Sequence, residues 1–170
     1  MEEWQKAWAA GIIDFQGRIY TKSNAQRASG SQQITLTVDT SVPGIARRLC
    51  AMTGVSPEPK KHHALKREWL RRGCDEHCPE AHQHVRPVNM PDTTRWTVTG
   101  TALAIVLWNL RNYMTTDHQP WEWAMDSCLA QLRLKGQGSA MVIVTAQRLW
   151  RLGWELPPSI AHLAPKELTA

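Results

Sequence analysis

The chain has 170 residues, of which 42% are hydrophobic, and its 20 lysines and arginines outnumber 15 acidic residues to give a net charge of +5. This length predicts one domain with its own hydrophobic core. No apolar run approaches the roughly 18 residues that a membrane-spanning helix needs, and the acidic, amphipathic start MEEWQKAW is unlike a secretory signal. We therefore expect neither a membrane-spanning nor a secreted protein, but a soluble intracellular protein of the cytoplasm or nucleoid.

The first predicted element is an amphipathic helix over residues 3–15. Its apolar and small residues recur at helical spacing and share one face: Trp4, Ala7, Trp8, Gly11 and Ile12. Gly17 ends this helix. We expect most of the nine tryptophans to be core or interface residues, because they occupy positions of apolar periodicity.

Three segments alternate between apolar and polar residues, as the strands of a half-buried sheet do: GRIYTK, QITLTVD and RWTVTG. We predict that their apolar residues face inward and their polar residues outward. The outward residues predicted to contact DNA are Arg18, Tyr20, Lys22, Gln33, Thr35, Thr37, Arg95 and Thr97. Such side chains hydrogen-bond base edges and phosphates in a DNA groove, although any half-solvated sheet shows the same alternation.

Helical segments separate and follow these strands. SVPGIARRLCAMTG predicts a short helix, and a further strand region follows it. An apolar helix starts near Gly100, and two more helices are predicted near 121–135 and 139–153. This order indicates an α+β fold in which helices cover one face of an antiparallel sheet. We expect one domain over residues 1–155 and a Pro-containing tail at 156–170.

A basic run, KKHHALKREWLRRG, precedes the last strand. Only Glu68 opposes its six basic residues: Lys60, Lys61, Lys66, Arg67, Arg71 and Arg72. A solvated helix face is one interpretation of such a run. Its position beside polar strands favours another, in which Lys66, Arg67, Arg71 and Arg72 contact DNA.

The segment CDEHCPEAHQH predicts a structural zinc site within an insert at about 60–90. The i, i+4 spacing of Cys74 and Cys78 places both sulfurs on one side of a helical turn, and His82 and His84 complete a tetrahedral set of ligands. The alternative is free thiols and exposed histidines on a loop. With four protein ligands, the zinc would organise the insert and brace the basic run.

The segment AAGIIDFQG, at the end of the first helix, resembles the signature of the LAGLIDADG homing endonucleases. The matching residues are Ala10, Gly11, Ile12, Ile13, Asp14 and Gly17. The order of the strands also fits this family, and WTVTGTALAIVLWNLRNYM is similar to its last strand and the helix behind it. The resemblance extends from residue 4 to about residue 135.

This resemblance implies a homodimer, since the chain carries one motif, and a roughly palindromic site in double-stranded DNA. Two motif helices would pack together through Ala7, Ala10 and Gly11. The resemblance gives Asp14 a structural role near the helix end.

The catalytic position that the resemblance implies is occupied by Gln16, where the family has an acid that binds a divalent metal. A neutral amide is a poor ligand for Mg²⁺, so Mg²⁺ is expected only in a catalytically competent protein. The family often adds a lysine or glutamine near the metal, and Lys60 and Lys61 lie in the corresponding region. Phosphate contact or simple solvation is the alternative for these two lysines.

We therefore predict a sequence-specific, dimeric DNA-binding protein in which Gln16 leaves cleavage slow or absent. One alternative is an active endonuclease whose acid was changed to Gln16. A second is an RNA-binding maturase of the same fold, and a third is a zinc-stabilised protein-interaction module.

Overall fold

A computed structural model of the chain describes residues 1–23, 32–55, 58–60, 93–115, 120–134 and 139–165. The elements within these ranges are, in chain order, α1 (Glu3–Gln16), β1 (Gly17–Ser23), β2 (Gln32–Thr40), α2 (Pro43–Thr53), β3 (Glu58–Lys60), β4 (Thr93–Thr99), α3 (Gly100–Leu110), α4 (Trp121–Leu134), α5 (Ala140–Arg151) and a 3-10 helix (Pro158–Leu163). The predicted α+β class and the order of its elements are confirmed.

The strands form one antiparallel sheet in the order β1-β2-β4-β3. In the centre of this sheet, Leu36 of β2 is opposite Ile19 of β1 and Val98 of β4. Leu36 and Val98 are buried, because α1, α2 and α3 pack against this side of the sheet. The other side of the sheet carries the polar residues of the same strands.

Helix α3 is the centre of the hydrophobic core. Eight of its 11 residues are buried, and it contacts the sheet, α1, α4 and α5. A helix that is apolar all round is typical of one enclosed between layers. The core therefore lies around α3, between the sheet and the last two helices.

Two buried tryptophans connect remote segments to the end of α2. The indole Nε1 of Trp96, in β4, donates to Thr53 Oγ1 at 3.0 Å. The indole Nε1 of Trp154, in the segment after α5, donates to the carbonyl of Met52 at 2.7 Å. The chain continues to pack against the core beyond residue 155, since Ile160 is completely buried.

Helix α1 passes directly into β1, with no residue between Gln16 and Gly17. A Cβ atom at Gly17 would overlap the carbonyl oxygen of Ile13, so only glycine fits at this junction. The end of α1 is thereby held at the edge of the sheet.

The basic run beyond Lys60 and the whole Cys/His segment lie outside the described residues. Among the helices of the described ranges, none has the length and apolar character needed to cross a membrane.

Candidate nucleic-acid interface

The strand register places the predicted DNA-contacting strand residues on one side of the sheet. Arg18 of β1 is opposite Thr37 of β2, which is opposite Thr97 of β4. Alternate residues of a strand share a side. The positions that lie together are Arg18, Tyr20, Lys22, Gln33, Thr35, Thr37, Arg95 and Thr97, and we call them the polar sheet face.

Exposure across the polar sheet face is uneven. Arg18 and Gln33 are exposed and Tyr20 is half-buried. Thr35 and Thr37, which we expected to be solvated, are only 2% and 4% exposed. Their strand, β2, lies between β1 and β4, and the longer side chains of Tyr20 and Arg18 are opposite them on β1. Among the described side chains of this face, the fully exposed donors are therefore on β1, at Arg18, and at the start of β2, at Gln33.

Arg95 is bound to a carboxylate on the polar sheet face. Its Nε donates to Asp39 Oδ1 at 2.7 Å, and its Nη2 donates to Asp39 Oδ2 at 2.9 Å. Two parallel bonds fix the plane of the guanidinium group. The alternation of β2 places Asp39 on the polar side, but its pairing with a residue 56 positions later is not visible in the sequence.

Asp14 connects the C-terminal end of α1 to the segment after α3. Its Oδ2 accepts hydrogen bonds from the backbone N–H of Thr115 at 2.7 Å and from the Thr115 hydroxyl at 3.1 Å. The other carboxylate oxygen, Oδ1, is buried without a hydrogen-bond partner, and so is Oε1 of Gln16. Two buried acceptors at one helix end thus lack donors within the described part of the chain.

The side chains at this helix end do not fit a Mg²⁺ site. Mg²⁺ prefers charged oxygens, whereas Gln16 offers a neutral amide and Asp14 is already bound to Thr115 through one oxygen. Across the described ranges, no group of three or more His, Cys, Asp or Glu residues is placed to hold a metal ion.

The other predicted site residues belong to the basic run and the Cys/His segment. Lys60 lies in β3 opposite Thr93 of β4. The remaining residues fall outside the described ranges: Lys61, Lys66, Arg67, Arg71, Arg72, Cys74, Cys78, His82 and His84.

Three residues of α1 were predicted to pack against the same helix of a second chain, and two of them are on the exposed face of α1. Ala7 and Gly11 are exposed, as a helix–helix contact requires, and a Cβ atom at Gly11 would meet nothing within 4 Å. Ala10 was wrongly predicted to join them, because it is 0% exposed and lies in the core. Two large apolar side chains border the exposed face, with Trp4 56% exposed and Phe15 87% exposed.

Neither a family model nor a curated protein sequence matches the chain. A solved structure of the homing endonuclease I-CvuI in complex with its target aligns with 98% of this chain and 86% of its own, at a TM-score of 0.52 and 14% identity. The chain has the fold of a homing endonuclease. A second I-CvuI structure, in complex with the I-CreI target, gives a TM-score of 0.50 and 13% identity over 99% of this chain and 87% of that one.

In the homing-endonuclease fold of this chain, α1 ends at the same sheet that carries the polar sheet face. The fold accounts for the short junction at Gly17 and for the burial of α3. The partner and chemistry of this chain depend on its own side chains.

Proposed function

We propose that the chain is a sequence-specific, double-stranded DNA-binding protein that acts as a homodimer on the homing-endonuclease fold. We further propose that cleavage is impaired or absent because Gln16 occupies the position of the metal-binding acid. The observation that carries the proposal is the polar sheet face, where Arg18, Tyr20 and Gln33 combine donors and acceptors on adjacent antiparallel strands.

Strands with this chemistry suit the major groove of DNA, which is wide enough for a β-ribbon and presents a distinct pattern of donors and acceptors for each base pair. The net charge of +5 supports contacts with phosphates. Arg95 is held in one plane by Asp39, so it would meet a base edge with little loss of side-chain entropy.

The absence of cleavage follows from the chemistry of Gln16. Its amide oxygen carries no charge, cannot take up a proton at neutral pH and is a weak ligand for Mg²⁺. No hydrolytic step is therefore assigned to this end of α1. The same reasoning predicts that an acid at position 16 would supply the missing charge.

Selection from a random duplex library in Mg²⁺ tests the proposal, with the unsubstituted protein, Gln16→Glu and the control Gln16→Ala. We expect all three to enrich the same palindromic site, since position 16 is the last residue of α1 and precedes the polar strands. Cutting at a fixed place by Gln16→Glu alone would show a nuclease silenced by one residue. Failure to enrich any duplex, or preference for a folded intron RNA, would contradict DNA recognition.

The contribution of the polar sheet face is measured by comparing Arg18→Ala with Arg47→Ala. Both arginines are exposed, but Arg47 lies on α2, away from this face. We expect Arg18→Ala to weaken binding and to reduce the slope of log affinity against log salt by about one for each half-site. Equal effects of the two substitutions on DNA affinity would show that binding depends on net charge and not on the polar sheet face.

We also propose, from the sequence, that Cys74, Cys78, His82 and His84 hold a structural zinc. Elemental analysis of the purified chain should find about one zinc per chain, as the closed four-ligand site requires. The double variant Cys74→Ser/Cys78→Ser should lose it, whereas Cys50→Ser should retain it. A zinc-free protein whose folding is unchanged by a chelator would refute the site.

A further inference from the structure

Arg48, on helix α2, lies against two tryptophans of α1. Its guanidinium carbon is 4.7 Å from the centroid of the Trp4 ring and 4.6 Å from that of Trp8. Arg48 is exposed, and within the described ranges no carboxylate forms an ion pair with it. Stacking on aromatic rings orients a planar guanidinium but leaves its N–H edge for another partner.

The Arg48 stack borders the exposed face of α1. Helical spacing places Ala7 and Gly11 near the middle of this face, with Trp8 on one flank and Glu3 on the other. Arg48 therefore adds positive charge to the Trp8 flank. The opposite flank carries the acid Glu3, whose side chain is 72% exposed although it also contacts Lys6.

The proposed dimer sets how these flanks meet. The C-terminal end of α1 continues directly into β1, so two chains on one DNA duplex must both direct that end toward the DNA. The two α1 helices then run parallel, with the two-fold axis along them. In such a pair, each flank of one helix faces the opposite flank of the other, as the e and g positions do in a parallel coiled coil.

We propose that Arg48 pairs with Glu3 of the partner subunit on both sides of the interface between the two α1 helices, an inference that rests on the proposed homodimer. Along the helix axis, Glu3 lies about 4.5 Å from the midpoint of Trp4 and Trp8, within reach of two long side chains. Asp14, on the same flank, is about 12 Å from that midpoint and is bound to Thr115. The charges thus select a parallel arrangement.

Sedimentation equilibrium of the full chain, without DNA, tests this contact. We expect Arg48→Glu and Glu3→Arg each to raise the dimer Kd by roughly tenfold, and the double variant to recover most of that loss. Arg47→Glu is the matched control, since it makes the same charge change one residue away on the same helix. Glu3→Arg removes one of the two partners of Lys6, but Lys6 retains Glu155 as the other. Thermal unfolding verifies that each variant is folded.

Recovery in the double variant would identify the pair, provided that both single variants weaken the dimer. The two substitutions change the net charge in opposite directions, so a general effect of charge cannot weaken the dimer in both. Equal effects of Arg48→Glu and Arg47→Glu, or additive effects in the double variant, would overturn the contact while leaving the homodimer in place. A wild-type chain that sediments as a monomer would overturn both. DNA affinity of the wild type, measured separately, shows whether the proposed function fails on its own.

Discussion

The two ends of helix α1 differ in how completely their polar groups are bonded. Near the N-terminal end, Lys6 is only 8% exposed, yet its Nζ donates to Glu3 at 3.1 Å and to Glu155 at 3.3 Å. The terminal amine of Met1 donates to the carbonyl of Gly153 at 3.2 Å. This end of the helix is therefore bonded to the segment that follows α5.

That segment is itself held by a buried side chain of α3. Asn109 donates through Nδ2 to the carbonyl of Glu155 at 2.8 Å, and its Oδ1 accepts from the Glu155 N–H at 3.0 Å. The amide thus pairs with both backbone groups of one residue. A network in which each buried group has a partner adds rigidity.

The C-terminal end of α1 has the opposite character, since Oδ1 of Asp14 and Oε1 of Gln16 are buried without a partner among the residues that the structure describes. Buried orphan acceptors are uncommon in folded proteins and cost free energy. Among the described residues, the N-terminal end of α1 is therefore the more completely bonded of the two, and its bonds hold the helix to the segment after α5.

The largest effect is expected at the junction of the poorly bonded end. Gly17→Ala should lower the free energy of unfolding by about 3 kcal/mol or more, because the new methyl group overlaps a backbone carbonyl that cannot move without disturbing α1. Gly44→Ala, in the first turn of α2, is the control, and it should leave the stability equal or raise it by up to about 1 kcal/mol, since the site is open and alanine favours helix. Urea denaturation measures both, and a tolerated Gly17→Ala would contradict the close approach.

Asn109→Leu tests the well-bonded end. We expect the free energy of unfolding to fall by about 2 to 3 kcal/mol, since the substitution leaves the N–H and carbonyl of Glu155 without their partner. Asn112→Leu, at an exposed position just past α3, should change stability by less than about 0.5 kcal/mol. Equal losses in the two variants would remove the basis for the contrast between the helix ends.

For Lys6→Met we expect a smaller fall in the free energy of unfolding, of about 1 kcal/mol at neutral pH. This substitution keeps the apolar stem of the side chain but removes both ion pairs. The hydrogen bond that Lys6 donates to Glu3 is the main cause that raises the pKa of Lys6 above its ordinary value of 10.5, although burial opposes it. A raised pKa in the folded state adds stability that is fully present below the unfolded pKa and is lost as the pH rises through the folded pKa. The difference in the free energy of unfolding between wild type and variant should therefore hold at neutral pH and shrink at alkaline pH above about 10.5. A difference that stays constant with pH would exclude the ion pairs as its source.

The smallest effect is expected at Gln16. Gln16→Met keeps the length of the side chain and removes a buried acceptor that has no partner within the described ranges, so the free energy of unfolding should stay within about 0.5 kcal/mol or rise slightly. Thermal unfolding of the two proteins in parallel gives the comparison. A clear loss of stability would show that Gln16 has a partner within the chain and that the two ends of α1 are alike.

Periodicity within single segments predicted much of this fold. The alternation in QITLTVD placed Leu36 and Val38 inward, and the apolar run after Gly100 predicted the buried helix α3, because both patterns depend only on neighbouring residues. The same patterns placed Arg18 and Thr37 on one side of the sheet, and the strand register pairs these two residues.

Contacts between distant segments could not be predicted in this way. The sequence places Lys6 on a helix, but its partner Glu155 lies 149 residues away. Ala7 and Ala10 are chemically identical, so only the packing of α1 shows that the second is in the core. The stacking of Arg48 on Trp4 and Trp8 likewise depends on how α2 lies beside α1.

The direct passage from α1 into β1 also has a dynamic consequence. With no loop to absorb motion, the last turn of the helix and the first residues of the strand cannot open separately, and they form one cooperative unit of local unfolding. Backbone amides on the two sides of Gly17 should then exchange with solvent deuterium at a common rate. A disturbance at one end of this unit, such as strain in the strand, would be transmitted to the helix as a rigid displacement.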